Sequence, residues 1–160
     1  MSKTLVAYFS ASGVTEKAAE MLSKTLGSDI YKIEPKVPYT AADLNWQDSK
    51  SRSSLEMKDK SFRPEIVDTN ADIENYDTVF LGFPIWWYTA PRAVNTFLEK
   101  YDFSGKTIIL FATSGGSGFC SSREDLKKSA SDAAKIKEGK LFRGTVKEEE
   151  LKEWIKTLNI

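Results

Sequence analysis

Leu5-Val6-Ala7-Tyr8-Phe9, followed at once by Ser10-Ala11-Ser12-Gly13-Val14-Thr15, is the stretch whose reading decides the fold. Its first five residues are apolar throughout, as in a strand covered by helices on both faces. Over residues 15–26 the pattern changes, and Ala18, Ala19, Leu22 and Leu26 fall on one stripe of a helix. A buried strand passing through a short loop into an amphipathic helix opens a parallel βα unit. The same alternation continues along the chain. Residues 78–83 and 107–112 are again nearly continuous apolar runs and belong at the centre of the sheet, whereas 29–34 and 140–146 mix polar and apolar residues and belong at its edges.

Helical patterns lie between these runs. One follows Pro91, placed at a first helical position, with Val94, Phe97, Leu98 and Tyr101 at helical spacing. A weaker one is expected to start at Ser121 or Ser122, either of which could cap it, and to run through Leu126, Ala130 and Ala134. In the last, Thr145-Val146-Lys147-Glu148 fits a capping box ahead of the stripe Leu151, Trp154, Ile155 and Leu158. Right-handed crossovers and the ranking of strands by apolarity select an α/β fold: a doubly wound five-stranded parallel sheet of order 2-1-3-4-5 in a three-layer sandwich. Ligands of such sheets sit beyond the carboxyl ends of the strands where the order reverses, here between the first and third strands.

The 160 residues suit a single domain spanning 1–160, large enough to bury roughly 70% of the surface of the unfolded chain. Lys plus Arg and Asp plus Glu balance at 23 each, so no net field draws the protein to nucleic acid. There is no histidine and one cysteine, Cys120. Zinc centres, Cys-ligated iron–sulfur clusters, His-ligated haem and His-dependent nucleophiles lack their residues, no metal site is expected, and difficult chemistry would need a borrowed cofactor. The lone Cys120 reads as a packing residue rather than a reactive thiol. No apolar run approaches the ~18 residues of a membrane span, and the short run to Phe9 is too brief for a signal-peptide core, so the expected location is cytoplasmic without membrane insertion. Residues 35–64 do not fit a minimal sheet: polar and holding three of the five prolines, they form an extended crossover between the second and third strands, helical in part around 41–55. They could cover the sheet or form a lid.

Three loops should meet at the crevice. In the first, Gly13 allows a tight turn, helix N–H groups point outward, and Ser10, Ser12 and Thr15 add donors, a chemistry suited to a terminal phosphate. A serine-capped helix start is the plainer alternative. A triphosphate loop would need a Gly-Lys-Ser/Thr ending, which Lys17 does not supply. The second loop carries Pro84, Ile85 and three consecutive aromatics, Trp86, Trp87 and Tyr88, ahead of Pro91. In an extended chain Trp86 and Trp87 would point to opposite sides, one shielding a planar ligand and the other packing on the body. An aromatic core cluster or a protein interface would use the same residues. The third loop, Thr113-Ser114-Gly115-Gly116-Ser117-Gly118, is neither a nucleophile elbow, since Phe119 stands where glycine is needed, nor a dinucleotide fingerprint, since it follows the fourth strand and Ser121 ends the pattern. What remains is a flexible wall rich in donors.

The 10–15 loop resembles the FMN phosphate loop of flavodoxins. The run from Phe83 to Tyr88 with Pro91 resembles the aromatic flavin loop of flavodoxin-like proteins and NAD(P)H:quinone reductases, and Thr113-Ser114-Gly115-Gly116 resembles the third flavin loop. The resemblance covers nearly the whole chain and implies a flavodoxin-like fold with non-covalent FMN. Ser10, Ser12, Gly13, Val14 and Thr15 would hold the phosphate, while Pro84, Ile85, Trp86, Trp87, Tyr88 and Thr113, Ser114, Gly115, Gly116, Ser117, Gly118 would grip the ribityl chain and ring. The implied role is electron transfer to a redox partner protein or a small-molecule acceptor, by a monomer or weak dimer. An NAD(P)H-dependent FMN oxidoreductase acting on quinones or similar acceptors is the alternative, and a non-catalytic flavin-binding module a third class. The crossover and the balanced charge depart from the simplest flavodoxins, many of which are strongly acidic, and leave the partner open.

Overall fold

The computed structural model describes residues 3–158. The central runs form β1 (Thr4–Tyr8), β3 (Thr78–Pro84) and β4 (Thr107–Thr113), flanked by β2 (Asp29–Lys32) and β5 (Lys135–Phe142). All pair in parallel in the order β2-β1-β3-β4-β5, as expected from the sequence. Side chains alternate between two cores. Leu5, Ala7, Val79, Leu81, Ile108 and Leu110 face α3 (Arg92–Lys100) and α4 (Ser122–Ser129), which contribute Val94, Phe97 and Leu126. Val6, Tyr8, Phe80, Ile109 and Phe111 face α1 (Val14–Leu26) and α5 (Glu148–Leu158), which contribute Ala18, Leu22, Leu151 and Trp154. Each element thus closes one of two apolar layers around a sheet buried on both faces.

Several boundaries differ from the sequence reading. The fifth strand starts at Lys135 rather than at residue 140, and the reason lies at Gly139. The register passes from Leu110↔Glu138 to Phe111↔Lys140, so Gly139 is skipped as a bulge, which breaks the alternation by which a strand is recognised. A Cβ there would lie 2.4 Å from the Leu110 carbonyl oxygen and 2.6 Å from the Trp154 ring. α4 stops at Ser129, leaving Ala130 and Ala134 beyond it, and neither Ser121 nor Ser122 caps it with its side chain. Pro91 stands just before α3 as its flanking residue. α5 starts at Glu148, too late for the Thr145 box, with Glu148, Glu149 and Glu150 supplying negative charge to its first turn.

The crossover leaves and returns at one neck. Lys36 N–H donates to the Glu65 carbonyl at 3.0 Å, Val67 N–H to that of Glu34 at 2.7 Å, and Pro35 bridges Ile66 in antiparallel fashion. Of the helix expected around 41–55, only α2 (Arg52–Lys58) forms; residues 41–50 are mostly turns. α2 is capped by Ser51, whose hydroxyl accepts from Ser54 N–H at 3.3 Å. No described helix is long and apolar enough to cross a membrane.

Candidate functional site

β1 ends under the first loop. Ser10 Oγ accepts from Gly13 N–H at 3.1 Å, closing a turn in which Gly13 has φ 93°, a conformation that favours glycine. The first bond of α1 is Lys17 N–H to the Gly13 carbonyl, so the N–H groups of Val14, Thr15 and Glu16 find no acceptor among the described residues. Glu16 is the one acid in this first turn, and it is held away toward β2, accepting from Tyr8 OH at 2.9 Å with Lys32 Nζ at 3.7 Å. Burial, then this bond to a carboxylate, pushes the Tyr8 phenol well above its ordinary range. Thr15 is buried, and its hydroxyl lies 2.7 Å from that of Thr113, stitching the first loop to the end of β4.

The aromatic loop is not extended. Trp86 N–H donates to the Thr89 carbonyl at 2.9 Å and Thr89 N–H to that of Trp86 at 3.0 Å. Between them Trp87 and Tyr88 have φ 46° and 66°, the signature of a type I′ turn. Such turns favour Asn-Gly, and each non-glycine residue held left-handed costs about 1–2 kcal/mol. Trp86 tucks inward, edge-on to Phe9 (5.7 Å between centroids) and Tyr39 (5.5 Å), while Trp87 (41% exposed) and Tyr88 (66%) stand in solvent. Trp86 packs on the body and Trp87 does not, but a turn rather than strand alternation separates them.

In the third loop Ser114 N–H donates to the Phe142 carbonyl at 3.0 Å, and Ser114 Oγ accepts from Gly116 N–H at 3.1 Å. A Cβ added at Gly115, Gly116 or Gly118 would meet nothing within 4 Å, and none of the three has positive φ. Neither protein packing nor turn geometry accounts for these glycines.

The loops meet around a cleft of about 680 Å³, within the range usual for small-molecule sites. It is walled by Ser12 from the first loop, Pro84 to Tyr88 from the second and Ser114 to Ser117 from the third. Ser10, Gly13, Val14, Thr15, Thr113 and Gly118 lie outside this wall. Ser10, Gly13, Thr15 and Thr113 shape the loops from beneath, and Val14 is half exposed beside them. The fourth wall was not expected residue by residue: Leu44, Trp46 and Ser53 from the crossover. Its signal was Trp46, 69% exposed in a polar stretch with no apolar periodicity around it.

The crossover also braces the aromatic turn. Tyr39, whose ring packs on Trp86, donates its hydroxyl to Glu56 Oε1 at 2.5 Å, and Arg52 Nε donates to Glu56 Oε2 at 2.9 Å. The Arg52 guanidinium lies 3.7 Å from the centroid of the Tyr39 ring. Burial, then the bond to Glu56, drives the Tyr39 phenol far above its ordinary range. From the other side, buried Arg92 donates to the last carbonyls of α2, Nη2 to Met57 at 3.0 Å and Nε to Glu56 at 3.4 Å. No cluster of metal-ligating side chains occurs among the described residues.

Solved flavoprotein structures share this fold. A proposed flavoprotein from Bacteroides eggerthii is 46% identical with TM-score 0.91, the match covering 100% of this chain and 99% of that one. A flavoprotein from Lactobacillus acidophilus, solved in complex with FMN, shares the fold with TM-score 0.70 at 22% identity, over 97% of this chain and 99% of that one. Flavodoxin 1 of Salmonella typhimurium is 28% identical over 137 residues, 83% of this chain and 57% of that protein, so the chain spans little more than half the length of such curated relatives. The Flavodoxin family model matches residues 3–158, and the chain belongs to the flavodoxin family.

Proposed function

We propose that the cleft binds FMN without a covalent link and that the chain, acting as one domain, is a flavodoxin-like electron-transfer protein. The observation that carries this reading is that an aromatic turn and glycines with open space before them wall one cleft with Ala11 and Ser12, the loop that leads into the acceptor-free N–H groups of α1. The donor set fits the cofactor. The α1 N–H groups and the Ser12 hydroxyl suit a terminal phosphate, with Glu16 tied back so that no carboxylate opposes it. Trp87 and Tyr88 offer apolar faces to a flat ring, and the Gly115-Gly116 backbone can approach its edge closely. When bound, FMN supplies reversible electron transfer that no side chain of this protein can perform. The chain's own share is to hold the phosphate by amides, exclude water on the Trp86 side and leave Trp87 and Tyr88 facing a redox partner.

The test compares FMN with riboflavin, which lacks the phosphate. Ser12→Ala should weaken FMN several-fold and leave riboflavin within about twofold, the loss of one neutral hydrogen bond. Equal weakening of both would overturn the phosphate assignment, and a purified chain that takes up neither flavin would overturn the function. A second reading, reduction of a small acceptor such as a quinone at the expense of NAD(P)H, is favoured by one feature: the fourth wall of Leu44 and Trp46, which extends the cleft past the three loops. Rapid anaerobic bleaching of the bound flavin by NADH or NADPH would select the reductase; slow bleaching would select the carrier.

A further inference from the structure

The aromatic turn adopts a backbone that its own residues disfavour, and something must hold it there. Cys120, in the loop that follows β4, also has left-handed backbone, at φ 49°. It lies next in sequence to Ser121, whose N–H donates to the Tyr88 carbonyl at 3.1 Å. One carboxylate joins both places. Asp125 Oδ2 accepts from Thr89 Oγ1 at 2.6 Å and from Ser121 Oγ at 3.1 Å. Thr89 closes the turn through its two backbone bonds to Trp86 and is itself buried. Ser121 Oγ also lies 3.2 Å from the Tyr88 carbonyl, and its single proton serves one acceptor at a time. Asp125 itself sits on α4 and does not line the cleft.

We infer that Asp125 is the positioning residue of the cleft's aromatic wall, fixing the turn at Trp87 and Tyr88 by gripping Thr89 on the second loop and Ser121 at the end of the third. The inference rests on the FMN reading for its ligand but not for its geometry. A carboxylate accepts from both hydroxyls at once through charge-assisted bonds, and a bond to a charged group exceeds a neutral one in strength. Without it, Thr89 Oγ1 loses its acceptor, and the left-handed residues relax toward ordinary conformations. The consequence falls on the ring end of the ligand and spares the phosphate end, because the α1 amides take no part in this network.

The experiment uses the full chain with Asp125→Ala, Thr89→Val and the double variant, with Thr89→Ser as the rescue that keeps the hydroxyl. FMN and riboflavin should both weaken about tenfold in Thr89→Val, the loss of one charge-assisted bond, at least as much in Asp125→Ala, which also releases Ser121, and no further in the double than in Asp125→Ala, equally for the two flavins. Thr89→Ser should bind like the wild type. The apo-protein gives an independent readout: the indole N–H resonance of Trp87 should shift alike in Asp125→Ala and Thr89→Val and return in Thr89→Ser. Losses that add in the double variant, weakening confined to FMN, or an unmoved Trp87 resonance would each overturn the role. A wild-type chain that bound no flavin would remove the proposed function, and the Trp87 resonances would still decide whether Asp125 sets the turn.

Discussion

Replacing Glu56 tests whether the crossover supports the cleft or merely passes near it. The side chain is 5% exposed and takes two hydrogen bonds, from Tyr39 OH at 2.5 Å and Arg52 Nε at 2.9 Å. Glutamine preserves the shape: its oxygen can accept from Arg52 while its amide donates to the Tyr39 oxygen. The Tyr39 bond then becomes neutral while the Arg52 bond keeps only its charged donor, and since charge-assisted bonds contribute about 1.5–3 kcal/mol against about 0.5–1.5 for neutral ones, the gross loss is about 1.5 kcal/mol. A neutral amide is easier to bury than a carboxylate, which offsets roughly half, so Glu56→Gln should destabilise by about 1 kcal/mol. Glu56→Ala strands both donors. Breaking a buried ion pair costs about 3–5 kcal/mol, and Arg52, whose side chain is 23% exposed and also donates to the Val37 and Pro38 carbonyls, brings the figure to the low end, about 3 kcal/mol. Urea denaturation measures both variants, and flavin titration should show weaker binding in Glu56→Ala, because Tyr39 then no longer fixes Trp86. Two variants of equal stability, or a Glu56→Ala chain binding flavin as tightly as wild type, would refute the brace.

Alkaline pH should unfold the protein at the tyrosines. Tyr76, bonded to Asp29 at 2.7 Å, has its phenol pushed up to about 12, by burial first and then by that bond, and Tyr8, Tyr39 and Tyr101 shift the same way. The folded state thus keeps protons that the unfolded chain releases: stability is intact below pH ~10 and falls above it, by about 1.4 kcal/mol per pH unit for each such phenol, a slope that urea midpoints between pH 9 and 11 would read. Gly139→Ala places a Cβ 2.4 Å from a β4 carbonyl oxygen, so it should cost about 3 kcal/mol or more and lower the thermal midpoint. Tyr88→Gly should act in the opposite direction, relieving a left-handed residue at φ 66° and stabilising the apo-protein by about 1 kcal/mol in calorimetry while weakening flavin binding.

The sheet was legible because burial on both faces leaves an unmistakable mark: Leu5 to Phe9 and the runs through Phe80 and Leu110 are apolar without interruption. β5 was misplaced because its alternation is broken by a glycine that serves Trp154 and β4 rather than its own strand. The strand order alone brings the three loops to one end of the sheet. What the sequence hid was how the site is supported. Arg52 and Glu56 are four residues apart on α2, but their link to Tyr39 spans 13 to 17 residues, and such long-range contacts leave no periodic trace. The turn at Trp87 and Tyr88 hid for another reason: local preference argues against it, and long-range partners supply the stabilisation that the dipeptide lacks.

That conflict between local preference and final shape bears on the order in which the molecule assembles. A turn favoured by its own residues can nucleate early, whereas this one is locally frustrated until α4 docks and brings Ser121 against the Tyr88 carbonyl. The aromatic wall is therefore completed late in folding, after β4 and α4 are in place. By the same reasoning it is among the first parts to open from the native state, a sub-global unfolding that hydrogen exchange at the Thr89 amide would register. If the cleft binds FMN as proposed, such an opening would let the flat ring in and out without disturbing the sheet beneath it.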